Sequence, residues 1–284
     1  TINLSTNEFN EKAYTELNNS FGSFNTRKHT LKAGTGLLGK HFTIDARVSS
    51  IQSDGYIDRA TSDLTSFYLS GGYYGKKTIV KAIMFGGHEK TYQAWYGVDA
   101  ATMAVDRRYN YAGAIYDEAG NVSRYYDNEV DDYKQDHYQL HVSQRISELW
   151  NATVSLHYTN GSGFFEQYKQ SEPFANLGLP DVIIGGATIQ ESDVIVRRWL
   201  DNDYYGTTFS ANYSKNDTDL TFGGAFSRYD NARHFGEIIW SEISQNVPVR
   251  YVYYDGESEK TDVNFYTKWN QSFSEKFSSY VDIQ

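Results

Sequence analysis

Residues 150–158 read WNATVSLHY, and this stretch decides the fold. Every second residue from Trp150 to Tyr158 is apolar or aromatic, and the residues between them are polar. Successive side chains of a β-strand point to opposite faces, so this alternation indicates a strand with one apolar and one polar face. The same alternation recurs in four other segments. They lie at residues 42–49, 137–146, 205–214 and 262–270.

The composition of the 284-residue chain favours a β-sheet throughout. Aromatic residues make up 16% of the chain, and it contains only 3 Pro. Aromatic side chains suit pleated surfaces, and scarce proline suits unbroken hydrogen-bonded ladders. The mean hydropathy is −0.62, and no apolar run approaches the roughly 20 residues of a membrane helix. A membrane strand needs an apolar residue only at every second position, so this hydropathy still permits a transmembrane barrel.

The alternating segments predict about eleven strands, most of them about 10–14 residues long. Strands of soluble sheets are usually about half that length, whereas a tilted membrane strand needs about this many residues. The predicted strands lie at residues 13–22, 26–37, 40–52, 63–74, 77–89, 135–146, 149–160, 203–214, 218–229, 260–272 and 276–284.

Short and long connections alternate between these strands. Short turns fall near Gly39, Gly75 and Asn216, and long polar connections fall between them. The longest predicted loops are residues 90–134, 161–203 and 229–260. This rhythm is typical of an up-and-down barrel with turns on one side of the membrane and long loops on the other. The sequence therefore predicts an all-β, antiparallel up-and-down transmembrane β-barrel. Because complete bacterial barrels have even strand numbers, eleven strands predict a partial barrel.

Charge and cysteine content exclude several classes of function. The chain has no cysteine, which excludes disulfides, thiolate metal sites and cysteine nucleophiles. Its formal net charge is −10, which argues against a nucleic-acid partner, because phosphates need a basic surface. We find no nucleophile elbow, phosphate-binding glycine loop or zinc-protease motif. Gly161-Ser162-Gly163, a glycine-flanked serine, is interpreted as the opening of a loop. We therefore predict no enzyme, catalytic residue, cofactor or metal.

Several sequence blocks resemble one family. The blocks are TINLST (1–6), SDGYIDRA (53–60), TYQAWYG (91–97), RRWLDNDYYG (197–206) and HFGEIIW (234–240). Together they resemble the TonB-dependent receptors of the Gram-negative outer membrane. In that family a last plug strand like TINLST leads directly into the first barrel strand.

The resemblance implies a domain division and a set of partners. Residues 1–8 would end a plug domain, and residues 9–284 would form the N-terminal half of a barrel of about 22 strands. The expected ligand is a scarce nutrient: a ferric siderophore, haem, cobalamin or a glycan. The expected partners are the TonB complex, reached through the missing plug region, a surface lipoprotein and the lipid bilayer.

The long loops supply the candidate binding residues. Trp and Tyr offer flat, rigid surfaces for stacking on a ligand, and Arg pairs with carboxylates. The residues we select are Trp95, Tyr96, Arg197, Arg198, Trp199 and Trp240. The alternative is that these side chains only pack the loops together. A cluster of acidic residues, Asp127, Glu129, Asp131 and Asp132, lacks the spacing of a calcium loop and is interpreted as a solvated surface.

Two other functions remain open at this point. A passive porin-type channel shares the barrel but has no plug, so residues 1–6 distinguish it from a receptor. A soluble all-β binding domain also alternates along its strands, but its Greek-key connections would not keep the long-short rhythm. The leading prediction is an outer-membrane receptor for energy-coupled nutrient uptake.

Overall fold

The computed structural model describes residues 9–243 and 247–284, and β-strands dominate it. In chain order the strands are β1 (Tyr14–Gly22), β2 (Thr26–Gly34), β3 (Phe42–Ser53), β4 (Ser62–Tyr74), β5 (Thr78–Tyr92), β6 (Ala114–Tyr116), β7 (Val122–Tyr125), β8 (Val130–Arg145), β9 (Trp150–Pro173), β10 (Val182–Ile184), β11 (Ala187–Ile189), β12 (Glu191–Lys215), β13 (Thr218–Ser241), β14 (Tyr251–Ser274) and β15 (Phe277–Ile283). A short helix, α1 (Ala100–Val105), and a 3-10 turn (Phe174–Leu177) lie in the connections.

Eleven of these strands form one antiparallel sheet in which nearly all neighbours are also consecutive in sequence. The order is β1-β2-β3-β4-β5-β8-β9-β12-β13-β14-β15, and two separate hairpins, β6-β7 and β10-β11, lie within connections. The strand number and the antiparallel order predicted from the sequence are confirmed. The long-short rhythm holds except at the first connection, residues 23–25, which is short where a long one is due. The predicted plug segment, residues 1–8, lies outside the described residues.

The register divides the sheet into two faces. Phe42, Val154, Leu156 and Phe265 occupy alternate positions whose cross-strand partners are largely apolar, and we call this side the apolar face. Arg47, Arg145, His141 and Lys268 lie at the intervening positions, which we call the polar face. Phe265 remains 58% exposed and Phe42 53% exposed, so nothing in the described chain covers the apolar face.

Two rows of mostly aromatic residues bracket the middle of the apolar face. Near the short turns, Trp150 on β9 pairs with Tyr213 on β12, and their rings lie 5.1 Å apart. The second aromatic row lies toward the long connections, where Tyr158 pairs with Tyr138 and with Tyr205. From Trp150 to Tyr158 is about nine residues, the length that a tilted strand needs to cross a bilayer. Paired aromatic rows at this spacing are typical of the two interfaces of a membrane barrel.

Four strands extend well beyond the second aromatic row, and here the loop boundaries predicted from the sequence are wrong. β9, β13 and β14 have 24 residues each and β12 has 25. The connections therefore shrink to residues 93–129, 174–190 and 242–250, instead of 90–134, 161–203 and 229–260. Residues 244–246 of the last connection lie outside the described residues.

The strands continue because the backbone ladder does not need apolar side chains. Gly161 and Gly163, interpreted from the sequence as the opening of a loop, are ordinary strand residues of β9. A Cβ on Gly161 would lie 2.1 Å from the Tyr133 hydroxyl, and one on Gly163 would lie 2.7 Å from the same ring. These glycines let an aromatic ring lie against the neighbouring strand. They do not mark a turn.

A small hydrophobic core sits where a connection folds back over the extended strands. Leu177 of the 3-10 turn packs with Val194, Val196 and Ile238, all at most 3% exposed. Val194 and Val196 lie on the polar face of β12, so residues 174–190 cover that face. No helix in the described parts of the chain is long and apolar enough to span a bilayer.

Candidate ligand-binding site

A cross-strand row on the polar face forms the floor of the candidate site. Phe165 on β9 pairs with Arg198 on β12, Arg198 pairs with Gly236 on β13, and Gly236 pairs with Tyr254 on β14. Strand alternation puts all four on the polar face, beyond the second aromatic row. The Arg198 guanidinium carbon lies 5.6 Å from the centre of the Phe165 ring.

Gly236 makes room for two tyrosines beside Arg198. A Cβ on Gly236 would lie 2.4 Å from ring atoms of both Tyr253 and Tyr254. A β-bulge in the pairing between β13 and β14 at this point brings the two consecutive tyrosines close together, with ring centres 5.0 Å apart. Arg198 Nε donates to the Tyr253 hydroxyl at 3.4 Å. That hydrogen bond raises the pKa of Arg198, which therefore stays cationic.

The connection 93–129 supplies the opposite side of the site. Trp95 lies edge-on to Phe165, with ring centres 6.4 Å apart, and contacts the neighbouring Tyr96. The Tyr96 hydroxyl accepts a hydrogen bond from Gln167 Nε2 at 2.5 Å, which fixes the ring over β9. Trp95 is 53% exposed and Tyr96 51% exposed. We call the group Trp95, Tyr96, Phe165, Arg198, Tyr253 and Tyr254 the aromatic cleft.

The structure places the other three predicted binding residues on the opposite face. Arg197 and Trp199 flank Arg198 in β12, so their side chains point to the apolar side of the sheet. Trp240 pairs with Ile195 and stacks on Tyr168 with ring centres 6.3 Å apart. Of the six residues selected from the sequence, the structure therefore brings together Trp95, Tyr96 and Arg198.

The charge of Arg197 is neutralised by an ion pair within the chain, whereas the charge of Arg198 is not. Arg197 Nε lies 2.7 Å from Glu166 Oε2, and the Glu166 side chain is only 2% exposed. The guanidinium carbon of Arg197 also lies 4.2 Å from the centre of the Phe164 ring. Arg198 is exposed and makes no ion pair with a described carboxylate, although Glu172 acts on its charge from a longer distance. Only Arg198 is therefore free to pair with an anionic group on a ligand.

Trp199 lies in an aromatic stack between Phe164 and Phe235. Its ring lies 4.7 Å from Phe164 and 5.8 Å from Phe235, nearly parallel to the latter. The indole N–H donates to Glu237 Oε1 at 2.8 Å. Both ring faces and the single donor of Trp199 are thus already used within the chain.

Sequence reasoning missed Phe165, Tyr253, Tyr254 and Glu129. The first three lay inside predicted loops, where no strand register could assign them to a face. Glu129 was grouped with a solvated acidic surface, but it is 4% exposed and caps an edge of β9. The run Tyr251-Val252-Tyr253-Tyr254 was the only available signal that β14 begins there. In the described part of the chain, no group of His, Asp and Glu could hold a metal ion.

The fold and the two faces define the class of protein. An up-and-down antiparallel sheet with one apolar face, two aromatic rows, short turns at one end and long connections at the other is the wall of a transmembrane β-barrel. No protein-family model matches the chain, and no curated protein matches it.

Solved structures share this fold over nearly the whole chain. The chain matches the copper transporter OprC with a TM-score of 0.61 and 12% identity, over 95% of this chain and 37% of that one. It matches BauA, the ferric preacinetobactin receptor of Acinetobacter baumannii, with a TM-score of 0.59 and 10% identity, over 94% of this chain and 40% of that one. It matches P. aeruginosa FpvA bound to heterologous pyoverdines with a TM-score of 0.61 and 10% identity, over 95% and 36%.

These solved proteins are TonB-dependent receptors, so the resemblance drawn from the sequence is confirmed for the fold. The chain has the barrel fold of that family and spans less than half the length of each solved protein. Copper, a ferric siderophore and pyoverdines appear in the names of these neighbours, so one fold serves different ligands. The ligand of this chain has to be sought in its own side chains.

Proposed function

We propose that this chain forms part of the wall of an outer-membrane receptor that imports a scarce nutrient in a Gram-negative bacterium. Energy would come from the TonB complex acting on the plug, and a surface lipoprotein would be a further partner. The candidate nutrients are a ferric siderophore, haem, cobalamin or a glycan. The chain would act by binding and transport, without catalysis.

The observation that carries this proposal is the position of the aromatic cleft. It lies on the polar face, which in a barrel of this fold lines the interior. It also lies beyond the second aromatic row, at the end of the sheet that carries the long connections. A nutrient that arrives from outside would meet this cleft before it reaches the membrane-spanning part of the barrel.

The chemistry of the cleft favours a ligand with a flat or apolar body and an anionic group. Trp95, Tyr96 and Tyr254 present half-exposed rings, which give stacking area at low conformational cost. Arg198 presents several N–H donors to one carboxylate or catecholate-type oxygen pair. Among the candidate nutrients, siderophores and haem have this combination, whereas neutral glycans offer Arg198 no anionic group.

Growth on single nutrients tests the proposal. A strain that lacks the gene should lose growth on one iron or vitamin source, and the wild-type gene should restore it. The Arg198→Ala gene should restore growth only at higher nutrient concentration, and the Glu191→Ala gene, which removes an exposed carboxylate of β12, should restore it fully. Uptake that continues after TonB is deleted would support the passive channel instead. Equal growth with and without the gene on every source would contradict import of these nutrients.

A further inference from the structure

The connection 93–129 is hydrogen-bonded to a part of the β9 edge that has no neighbouring strand. β8 begins only at Val130, whereas the antiparallel β9 runs on to Pro173, so β9 has no strand partner on that side beyond Phe165. Side chains of the connection take the place of a strand. Glu129 Oε2 accepts the Tyr168 backbone N–H at 3.0 Å, and Gln93 Nε2 donates to the Glu166 carbonyl at 2.9 Å. Unpaired backbone groups at a buried edge need such partners.

Other bonds attach the rest of the connection to β9. The Gln170 side chain bonds both the N–H and the C=O of Tyr116, at 2.8 and 2.7 Å. The Glu166 carboxylate accepts from the Tyr126 hydroxyl at 2.5 Å and from Asn128 Nδ2 at 2.6 Å. Each of these contacts joins β9 to residues that precede β8. The docked connection holds Trp95 and Tyr96 in place over the polar face.

Glu129 is the titratable group at the centre of this attachment. It is 4% exposed, and burial raises its pKa to about 7. The charged group that opposes the shift is Lys169 on β9, and Glu166 on the same strand adds to it. The tyrosines that interact with its charge are Tyr92 of β5 and Tyr96 and Tyr126 of the connection. Backbone N–H groups of Tyr168 and Gly113 also face the carboxyl group.

We propose that the connection 93–129 is a pH-sensitive cover, docked on β9 more firmly when Glu129 is protonated than when it is ionised. Docking removes the ionised Glu129 carboxylate from water and gives it no full ionic partner. This desolvation destabilises the docked state. In the undocked state water solvates the same carboxylate. Docking is therefore coupled to the uptake of one proton by the Glu129 carboxyl group.

The direction of the pH dependence follows from the raised pKa. The docked state binds the proton more tightly than the undocked state, whose carboxyl group has the ordinary value near 4.5. The stabilisation of docking is therefore complete below about pH 4.5 and decreases as the pH rises through about 7. The undocking equilibrium constant should increase about tenfold between pH 6 and pH 8. Since Trp95 and Tyr96 lie on the cover, the shape of the aromatic cleft would change with it.

Hydrogen exchange of the full-length receptor in detergent, without ligand, tests this inference. Peptides from residues 93–129 should lose about tenfold in protection from about pH 6 to about pH 8 after correction for intrinsic exchange. Peptides from residues 150–158 of the membrane strand should not change. Because no ligand is present, failure here would leave the proposed import function untouched.

Two variants separate titration of Glu129 from a general effect of pH. Glu129→Gln, which imitates the protonated acid, should give protection that no longer depends on pH, and Asp127→Asn, at an exposed carboxylate nearby, should keep the wild-type dependence. Lys169→Met removes the opposing charge, so the loss of protection between pH 6 and pH 8 should be larger than in the wild type. Equal protection of the wild-type cover at both pH values, or a loss of protection in Lys169→Met no larger than in the wild type, would overturn the proposal.

Discussion

Arg197 and Arg198 are neighbours in β12 and have opposite surroundings. Arg197 lies on the apolar side, paired with the buried Glu166 and set against Phe164. Arg198 lies on the polar side, exposed, near the Phe165 ring and with a long hydrogen bond to Tyr253. The same contrast holds for the aromatic side chains of the neighbouring strands. The rings around Trp199 pack against one another, whereas rings of the aromatic cleft remain exposed. The apolar side of the extended strands therefore contributes to stability, and the polar side remains available for a ligand.

The largest effect should come from Glu166→Ala. This change leaves Arg197 without its ionic partner and frees Tyr126 and Asn128, which anchor the connection 93–129. Breaking a buried ion pair by removing one partner costs several kcal/mol; with Arg197 partly exposed, we expect a loss of about 3 kcal/mol. Urea unfolding of the refolded receptor in detergent would measure it. Glu191→Ala at the start of the neighbouring strand β12, an exposed site, is the matched control, and equal losses in both variants would contradict the assignment.

Trp199→Ala should be the next largest change. It removes a ring packed between Phe164 and Phe235 and leaves Glu237 with one donor fewer. Trp→Ala in a full core costs about 3–5 kcal/mol, so for this half-buried ring we expect about 2 kcal/mol. Trp95→Ala, at a more exposed ring of the cleft, should change the free energy of unfolding little and should weaken ligand binding. If Trp95→Ala destabilises as much as Trp199→Ala, the two faces do not differ as described.

Arg198→Ala should act on binding alone. Losing a charge-assisted hydrogen bond to a ligand costs about 1.5–3 kcal/mol, so affinity should fall at least about tenfold with unchanged unfolding. Titration of the purified receptor with the nutrient found in the growth test would measure the affinity. Arg197→Ala should show the reverse pattern, with lower stability and nearly the same affinity per folded molecule. An Arg198→Ala receptor with wild-type affinity would remove the cleft from the proposed function.

The sequence predicted the membrane-spanning part well because lipid imposes a strong pattern there. In residues 150–158 every second side chain must be apolar, so both the strand and its faces could be predicted. Beyond Tyr158 no such requirement exists. Both faces of β9 carry polar and aromatic residues there, with Phe164 on one face and Phe165 on the other, and the alternation that marks a strand disappears while the backbone pairing continues.

That loss of pattern explains why the site was only partly predicted. Within a loop, Arg197, Arg198 and Trp199 count as one aromatic and basic cluster. Within a strand, strict alternation divides them between two faces. Trp95 and Tyr96 could be chosen by residue type alone, but their contact with Phe165 and Gln167 depends on how the connection 93–129 folds back. Glu129 is buried by the same long-range contact, which no local pattern records.

The smallest effect should come from Arg250→Ala, and it tests whether exposed charges on the apolar side behave as weak stabilisers. Arg250 is 60% exposed and pairs with Glu237 at 2.9 Å. Because one partner is exposed, such a pair is a weak stabiliser, and the loss should shrink further in high salt. Although burial alone would raise the pKa of Glu237, hydrogen bonds from Arg250 and Trp199 hold it below the ordinary value. Stability from Glu237 is therefore present near neutral pH and is lost as the pH falls through that lowered pKa. Without Arg250 the pKa of Glu237 rises, so acid unfolding should begin at a higher pH. An acid-unfolding midpoint that does not move in Arg250→Ala, or a loss of ligand affinity in this variant, would mean that the charges of the two faces are not separated as the sheet register indicates.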